Sequence, residues 1–342
     1  MHKINLVTRD GHAIAFDAEA RESLLDAAAR ENAFLPSACR EGGCGACRVT
    51  LASGEVRLDS YSTAALSDVD RASGDILLCR AHAQGDLDLR APFDKSAIGF
   101  APVPQRRARI VEISAAGSGA KRLLLRLDDD PMLGSAAEFL PGQFMELSIP
   151  ETAITRAYSL ANAPNWDGTL EFLIRQHPQG AFSSYLADRA KIGDALALRG
   201  PQGSFTLDDA SPAARWFVAG GTGVAPMLSM LRRMAELGDD HDCRLFFGVN
   251  TQEELFALDA IDALNQALPR LQATICVWKA GPRWSGFSGT PVAALSQALT
   301  ASLERPDIYL CGPPALVQAA TAAARAAGLA HERIFSENFS PS

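Results

Sequence analysis

The chain has 342 residues, 47% of them apolar and 21% charged, which is enough for two to three cored domains and excludes disorder as its main state. Thirty-two basic residues against forty acidic ones leave a formal charge of −8, which argues against nucleic acid as a partner. No apolar run reaches the roughly eighteen residues of a membrane span, and Met1-His2-Lys3-Ile4-Asn5 opens no secretory signal, so a reducing cytoplasm is expected.

In chain order, Ile4 to Val7, a turn at Asp10-Gly11 and Ala13 to Phe16 read as a β-hairpin, and Ser23 to Arg30 as a short amphipathic helix. A cysteine-bearing loop follows, and Ala101-Pro102-Val103-Pro104 marks a linker. From about 106 to 208, short alternating runs at 122–127, 144–149 and 170–175 are broken by Pro141-Gly142, Asp167-Gly168 and Gly200-Pro201, the pattern of a small antiparallel barrel. From about 213, strands at 216–219, 244–249, 274–278 and 308–311 alternate with helical runs at 225–237, 255–268, 291–303 and 315–327. That rhythm predicts a doubly wound parallel sheet.

The seven cysteines are an odd number in a chain without an export signal, so disulfides are not expected. Four of them, Cys39-x4-Cys44-x2-Cys47 and a later Cys79, have the ligand spacing of a plant-type [2Fe–2S] centre. Gly42, Gly43, Gly45 and Ala46 between them let backbone amides approach the bridging sulfides. Structural zinc is the alternative, but it usually takes two close cysteine pairs, and Cys79 stands alone. Cys243 and Cys276 read as core thiols. None of the six histidines, among them His82, His177 and His241, sits in a motif; they read as solvent or core residues.

Arg156-Ala157-Tyr158-Ser159-Leu160 can hold a pyrophosphate through Arg156 and pack an aromatic on a planar ring. Gly180, Ala181, Phe182 and Ser183 open a helix whose free amides suit a phosphate. Taken alone, such strings are more often ordinary strand and turn. Gly220-Gly221-Thr222-Gly223, with Pro226 in the first helical turn, follows a strand and reads as a pyrophosphate turn, although it is not the G-x-G-x-x-G fingerprint. The next strand ends at Asn250, with Glu253 and Glu254 just beyond and no base in the stretch, which predicts NADH over NADPH. The plainer reading is that these carboxylates only charge a helix N-terminus. Cys311-Gly312-Pro313 ends a later strand, and Phe335-Ser336-Glu337-Asn338-Phe339 lies near the terminus, where a fraying tail is the alternative.

The first segment resembles the plant-type ferredoxins through Cys39-Arg40-Glu41-Gly42-Gly43-Cys44-Gly45-Ala46-Cys47, which implies a β-grasp fold and a one-electron centre. The remainder is similar to the ferredoxin–NADP reductase superfamily. That resemblance assigns Arg156, Tyr158, Ser159, Leu160, Leu173, Arg175 and the turn from Gly180 to Ser183 to a flavin. FAD is favoured over FMN by Leu173-Ile174-Arg175 and that turn. It places Cys311 beside the nicotinamide as a positioning residue, Glu337 near the hydride and Phe339 against the flavin.

Over its full length the chain resembles the three-domain reductases of bacterial oxygenases, most of all those of soluble di-iron monooxygenases of the methane, propane and phenol type. Asn338 departs from a common Lys, and 227–230 is a local variant. The expected architecture is a ferredoxin domain at 1–97, an FAD-binding β-barrel at 104–209 and an NADH-binding α/β domain at 213–342. The expected function is hydride transfer from NADH to FAD, then single electrons through the cluster to a hydroxylase component, with no general base required. The free protein is expected to be a monomer. A Rieske dioxygenase reductase of the benzoate type is the alternative within the class, and a non-enzymatic iron–sulfur sensor the alternative outside it.

Overall fold

The computed structural model describes residues 1–37, 40–63, 65–100, 103–152 and 154–338. They fall into two compact units, residues 1–103 with 202–204, and residues 104–201 with 205–342.

In the first unit, β1 (His2–Val7) and β2 (Ala13–Ala18) form the expected antiparallel hairpin, with Ile4 opposite Phe16. Helix α1 (Leu24–Arg30) starts at Ser23, whose hydroxyl oxygen accepts from the Asp26 amide at 3.1 Å while donating to the Asp26 carboxylate at 2.7 Å. After the cysteine loop come β3 (Arg48–Ser53), β4 (Val56–Leu58), the short α2 (Asp68–Ala72), β5 (Asp75–Leu77), β6 (Ala81–Ala83) and β7 (Leu87–Arg90). The sheet order is β2-β1-β7-β3-β5, with β1 and β7 parallel in its centre and Leu24 and Leu25 of α1 in its core. This is the β-grasp arrangement.

The second unit begins with a six-stranded antiparallel sheet. Its strands are β8 (Gln105–Ala116), β9 (Ala120–Leu127), β10 (Phe144–Ser148), β11 (Thr155–Ser159), β12 (Thr169–Arg175) and β13 (Ala195–Gln202), with α3 (Ala181–Asp188) between the last two. The order is β11-β10-β13-β8-β9-β12, and a bridge from Leu160 to Phe172 brings its two ends together, so the sheet closes into a barrel. Leu123, Leu147, Leu160, Phe172 and Leu196 fill it, and each fully buried side chain of this kind contributes about 1.5–3 kcal/mol.

The chain continues through β14 (Arg215–Gly220), α4 (Val224–Leu237), β15 (Cys243–Val249), α5 (Leu258–Ala267), β16 (Leu271–Val277), β17 (Phe287–Ser288), α6 (Pro291–Ala301), β18 (Asp307–Gly312), α7 (Pro314–Ala326) and β19 (Ile334–Asn338). All strand pairs are parallel in the order β17-β16-β15-β14-β18-β19. Helices α4 and α5 cover one face, α6 and α7 the other. Order reverses between β14 and β18, so both strand ends face the crevice where doubly wound sheets bind ligands.

One expectation changes, and one alternative is set aside. The helix expected at 255–268 starts at Leu258, because Ala257 takes a left-handed conformation (φ 57°) and only a short turn precedes it. The segment from Phe335 to Asn338 does not fray: it pairs with β18 as an edge strand, Cys311 opposite Glu337.

Candidate functional site

The cysteine loop is shaped by crowding. Gly42 has φ 75°, and a Cβ there would lie 2.8 Å from Arg80 Cγ and 2.9 Å from Tyr61 Cβ, so only glycine fits without displacement. Cys44, Cys47 and Cys79 are buried, with the sulfurs of Cys47 and Cys79 3.3 Å apart. Cys39 lies outside the described residues. The neighbouring Cys79 sulfur and then burial push the Cys47 thiol far up. A thiol so placed resists ionising by itself, and a positively charged iron pair bound there would compensate its charge. The donor set and its cradle therefore fit a [2Fe–2S] cluster.

In the second unit, Arg156, Tyr158 and Ser159 all lie on β11. Arg156 donates to the Thr155 carbonyl at 2.8 Å. Tyr158 packs its ring 5.1 Å from that of Phe182, and burial raises its phenol. Gly180 caps α3 with no side-chain bond to its first amides, while the Ser183 hydroxyl accepts from the His177 amide at 3.0 Å. An uncapped helix start packed against a tyrosine, with an arginine two residues away on the same strand, fits the ring and phosphate of a flavin. Leu160 is a barrel-core residue, and Leu173 packs into a core shared with α4, so both can offer a flavin only their backbone. Arg175 is exposed at the end of β12.

Ser159 is 5% exposed, and its hydroxyl donates to Glu337 Oε2 at 3.1 Å, joining the barrel to the last strand of the parallel sheet. Burial pushes Glu337 up to about 7, with the Ser159 bond pulling the other way. Cys311, fully buried, is its strand partner; burial and then Glu337 raise its thiol. It is therefore a neutral side chain rather than a nucleophile. Phe339 lies outside the described residues.

The nucleotide turn packs on the same strand end. A Cβ on Gly223 would stand 2.4 Å from the Cys311 carbonyl oxygen, while one on Gly221 (φ 54°) would meet nothing within 4 Å. Gly223 thus lets the turn press against Cys311-Gly312, with Pro313 also close to Gly220, and Gly221 leaves backbone open for a pyrophosphate. Thr222 lies within this turn, and Pro226 is buried in the first turn of α4.

At the end of β15, Asn250 donates to Glu254 Oε2 through its amide (3.1 Å) and its side chain (3.2 Å), and Thr251 lowers Glu253 by hydrogen bonding. Glu254 thus braces its own loop, while Glu253 is exposed. Sequence reading missed Lys279, whose amide donates to the Asn250 carbonyl at 2.8 Å and whose ammonium lies 5.3 Å from the Trp278 ring centroid. Its backbone, just past β16, therefore packs on this strand end, while its ammonium lies against the Trp278 ring. Among the histidines, His82 is buried and bonded to Asp59 at 2.8 Å, in line with the core reading.

Fold and site together define an oxidoreductase with iron–sulfur, flavin and nicotinamide modules. Residues 7–84 match the 2Fe-2S iron-sulfur cluster binding domain family, 108–207 the oxidoreductase FAD-binding domain family and 217–322 the oxidoreductase NAD-binding domain family. The reductase component of propane 2-monooxygenase from Mycolicibacterium goodii is 33% identical over 99% of this chain and 97% of its own. The electron transfer component of toluate 1,2-dioxygenase from Pseudomonas putida is 33% identical over 100% of this chain and 99% of its own. Among solved structures, a cytochrome P450 reductase from Amycolatopsis superposes with a TM-score of 0.77 at 28% identity, covering 99% of each chain. The chain belongs to this family of oxygenase reductase components. Among the described residues no helix is long and apolar enough to cross a membrane.

Proposed function

We propose that this chain takes hydride from NADH and delivers single electrons to the hydroxylase component of a soluble di-iron monooxygenase, acting as a cytoplasmic monomer. Bound flavin accepts a hydride and yields electrons singly, which is what a one-electron cluster needs from a two-electron donor. The observation that carries the reading is the convergence of Ser159, Glu337 and Cys311 beside the Gly220–Gly223 turn. In this reading residues 1–97 form the ferredoxin domain, 104–209 the FAD domain and 213–342 the NADH domain.

Each side chain has a defined task. Arg156 and the amides at Gly180, Ala181, Phe182 and Ser183 hold flavin phosphates, Tyr158 packs on its ring, and Gly220, Gly221, Thr222 and Gly223 carry the nicotinamide dinucleotide's pyrophosphate. Ser159 and Glu337 hydrogen-bond at the reacting edge, and Cys311 with Gly312 and Pro313 shapes the nicotinamide pocket. Cys39, Cys44, Cys47 and Cys79 are the iron ligands. Asn250 and Glu253 take the ribose, giving NADH the larger kcat/KM; parity with NADPH or a preference for it would refute the ribose assignment.

A Rieske dioxygenase partner is the second reading, because the toluate relative matches as well as the propane one. Purified protein is mixed with NADH and either a di-iron hydroxylase of the propane type or a Rieske oxygenase of the toluate type. Coupled turnover with the first alone supports the proposal; turnover with the second alone refutes it.

A further inference from the structure

The barrel and the parallel sheet of the second unit already share an apolar core, in which Ala161 and Leu173 lie with Met227, Met230 and Leu231 of α4. Apolar burial holds surfaces together but is non-directional, so it does not by itself fix their register. A polar latch lies beside this core. Glu171 of β12 is 7% exposed; its Oε1 accepts from Arg122 Nε at 2.7 Å and its Oε2 from Arg232 Nη1 at 2.7 Å. Arg122 is itself fixed on the barrel by Glu112 at 2.9 Å.

From α4, Arg232 also donates to the Ala161 carbonyl at 2.8 Å, and the Ser229 hydroxyl donates to the Asn162 carbonyl at 2.7 Å. The side-chain oxygen of Asn162 in turn accepts from the Glu171 amide at 2.8 Å. Residues 161 and 162 directly continue the strand that carries Ser159. Along α4, Ser229 is about 9 Å from Gly223 at 1.5 Å per residue. The latch therefore connects, over about 10 Å on each side, the strand of the flavin site and the helix that starts at the nucleotide turn.

We propose that Glu171, clamped between Arg122 and Arg232, is a positioning residue that sets how the nucleotide turn meets the flavin strand during hydride transfer, an inference that rests on the NADH–flavin reading above. A buried carboxylate between two guanidinium groups is a poor source of net stability, since apolar replacements often do as well. Its distinctive property is directional. Separating either arginine leaves one oxygen of a buried carboxylate without its hydrogen-bond donor, so small sliding motions that apolar contacts tolerate become costly.

The test uses the full-length protein with its cofactors, as wild type, Glu171→Gln, Arg232→Gln and Arg232→Lys. Flavin bleaching by NADH is followed anaerobically in a stopped-flow instrument over a range of NADH concentrations. Flavin and iron content, melting temperature and amide exchange at 160–163 are measured alongside. The expected result is a limiting rate lowered about tenfold or more in both Gln variants, since small misplacements of reacting groups are costly. The NADH Kd and flavin content stay unchanged, exchange at 160–163 is faster, and Arg232→Lys recovers most of the rate.

An unchanged limiting rate, or a loss that only tracks flavin release, overturns the proposal. Should Glu171→Gln not fold, Arg232→Gln at the more exposed end of the clamp decides by the same criteria. A wild-type protein that NADH does not bleach refutes the parent reading instead, so the two failures are distinguishable.

Discussion

Replacing Glu337 by Gln tests the electrostatics of the site. Burial raises this carboxyl from its ordinary 4.5 to about 7, so the folded protein holds a proton that the unfolded chain has released between those values. The native state binds more protons in that window, so stability falls as pH rises from 4.5 through 7. At 1.36 kcal/mol per pKa unit, the raised value costs about 3 kcal/mol at pH 8, where the buried carboxyl is ionised, and about 1 kcal/mol at pH 5, where it keeps its proton. Gln keeps an oxygen that can accept from Ser159 at the 3.1 Å geometry but carries no charge to desolvate. The variant's stability relative to wild type should therefore improve by about 2 kcal/mol between pH 5 and pH 8. For a unit of this size that is a relative melting shift of about 4–8 °C. Flavin-depleted protein, melted by circular dichroism at both pH values, gives the comparison directly. An offset that is the same at both pH values would refute the reasoning, because a packing change does not titrate.

Cys44→Ser should abolish NADH-driven reduction of cytochrome c and spare that of ferricyanide; equal loss of both would contradict a relay through the cluster. Arg156→Ala should purify with less flavin, read from the absorbance ratio of flavin to protein, and unchanged content removes the phosphate assignment. Gly223→Ala should unfold at least about 2 kcal/mol more easily in urea, given a Cβ 2.4 Å from the Cys311 carbonyl oxygen. Gly221→Ala, in open space but at φ 54°, should cost about 1 kcal/mol; the reverse order would contradict the packing.

What could be read from the sequence was whatever a short segment specifies alone. The spacing from Cys39 to Cys47, the hairpin at Asp10-Gly11, the strand–helix alternation after 213 and the glycine turn at 220–223 are patterns carried by neighbouring residues. Relations between distant segments were not readable. Glu171 looks like one polar residue in an apolar strand, and only the fold shows Arg122 and Arg232 at its two oxygens. The Lys279 backbone meets Asn250 because β15 and β16 are neighbours, which no spacing rule encodes. For the near-terminal Phe335 to Glu337 stretch only a resemblance spoke against a fraying tail, and its pairing with β18 is what sets Glu337 beside Cys311. Leu173 looked like a flavin contact, but strand alternation turns its side chain into a core shared with α4.

The most direct test of electron transfer through three carriers is an anaerobic NADH titration of purified, reconstituted protein, with flavin and cluster absorbance followed together. The account predicts that NADH bleaches both chromophores in the wild type and only the flavin in Cys44→Ser. Flavin bleaching without any change at an intact wild-type cluster would contradict it.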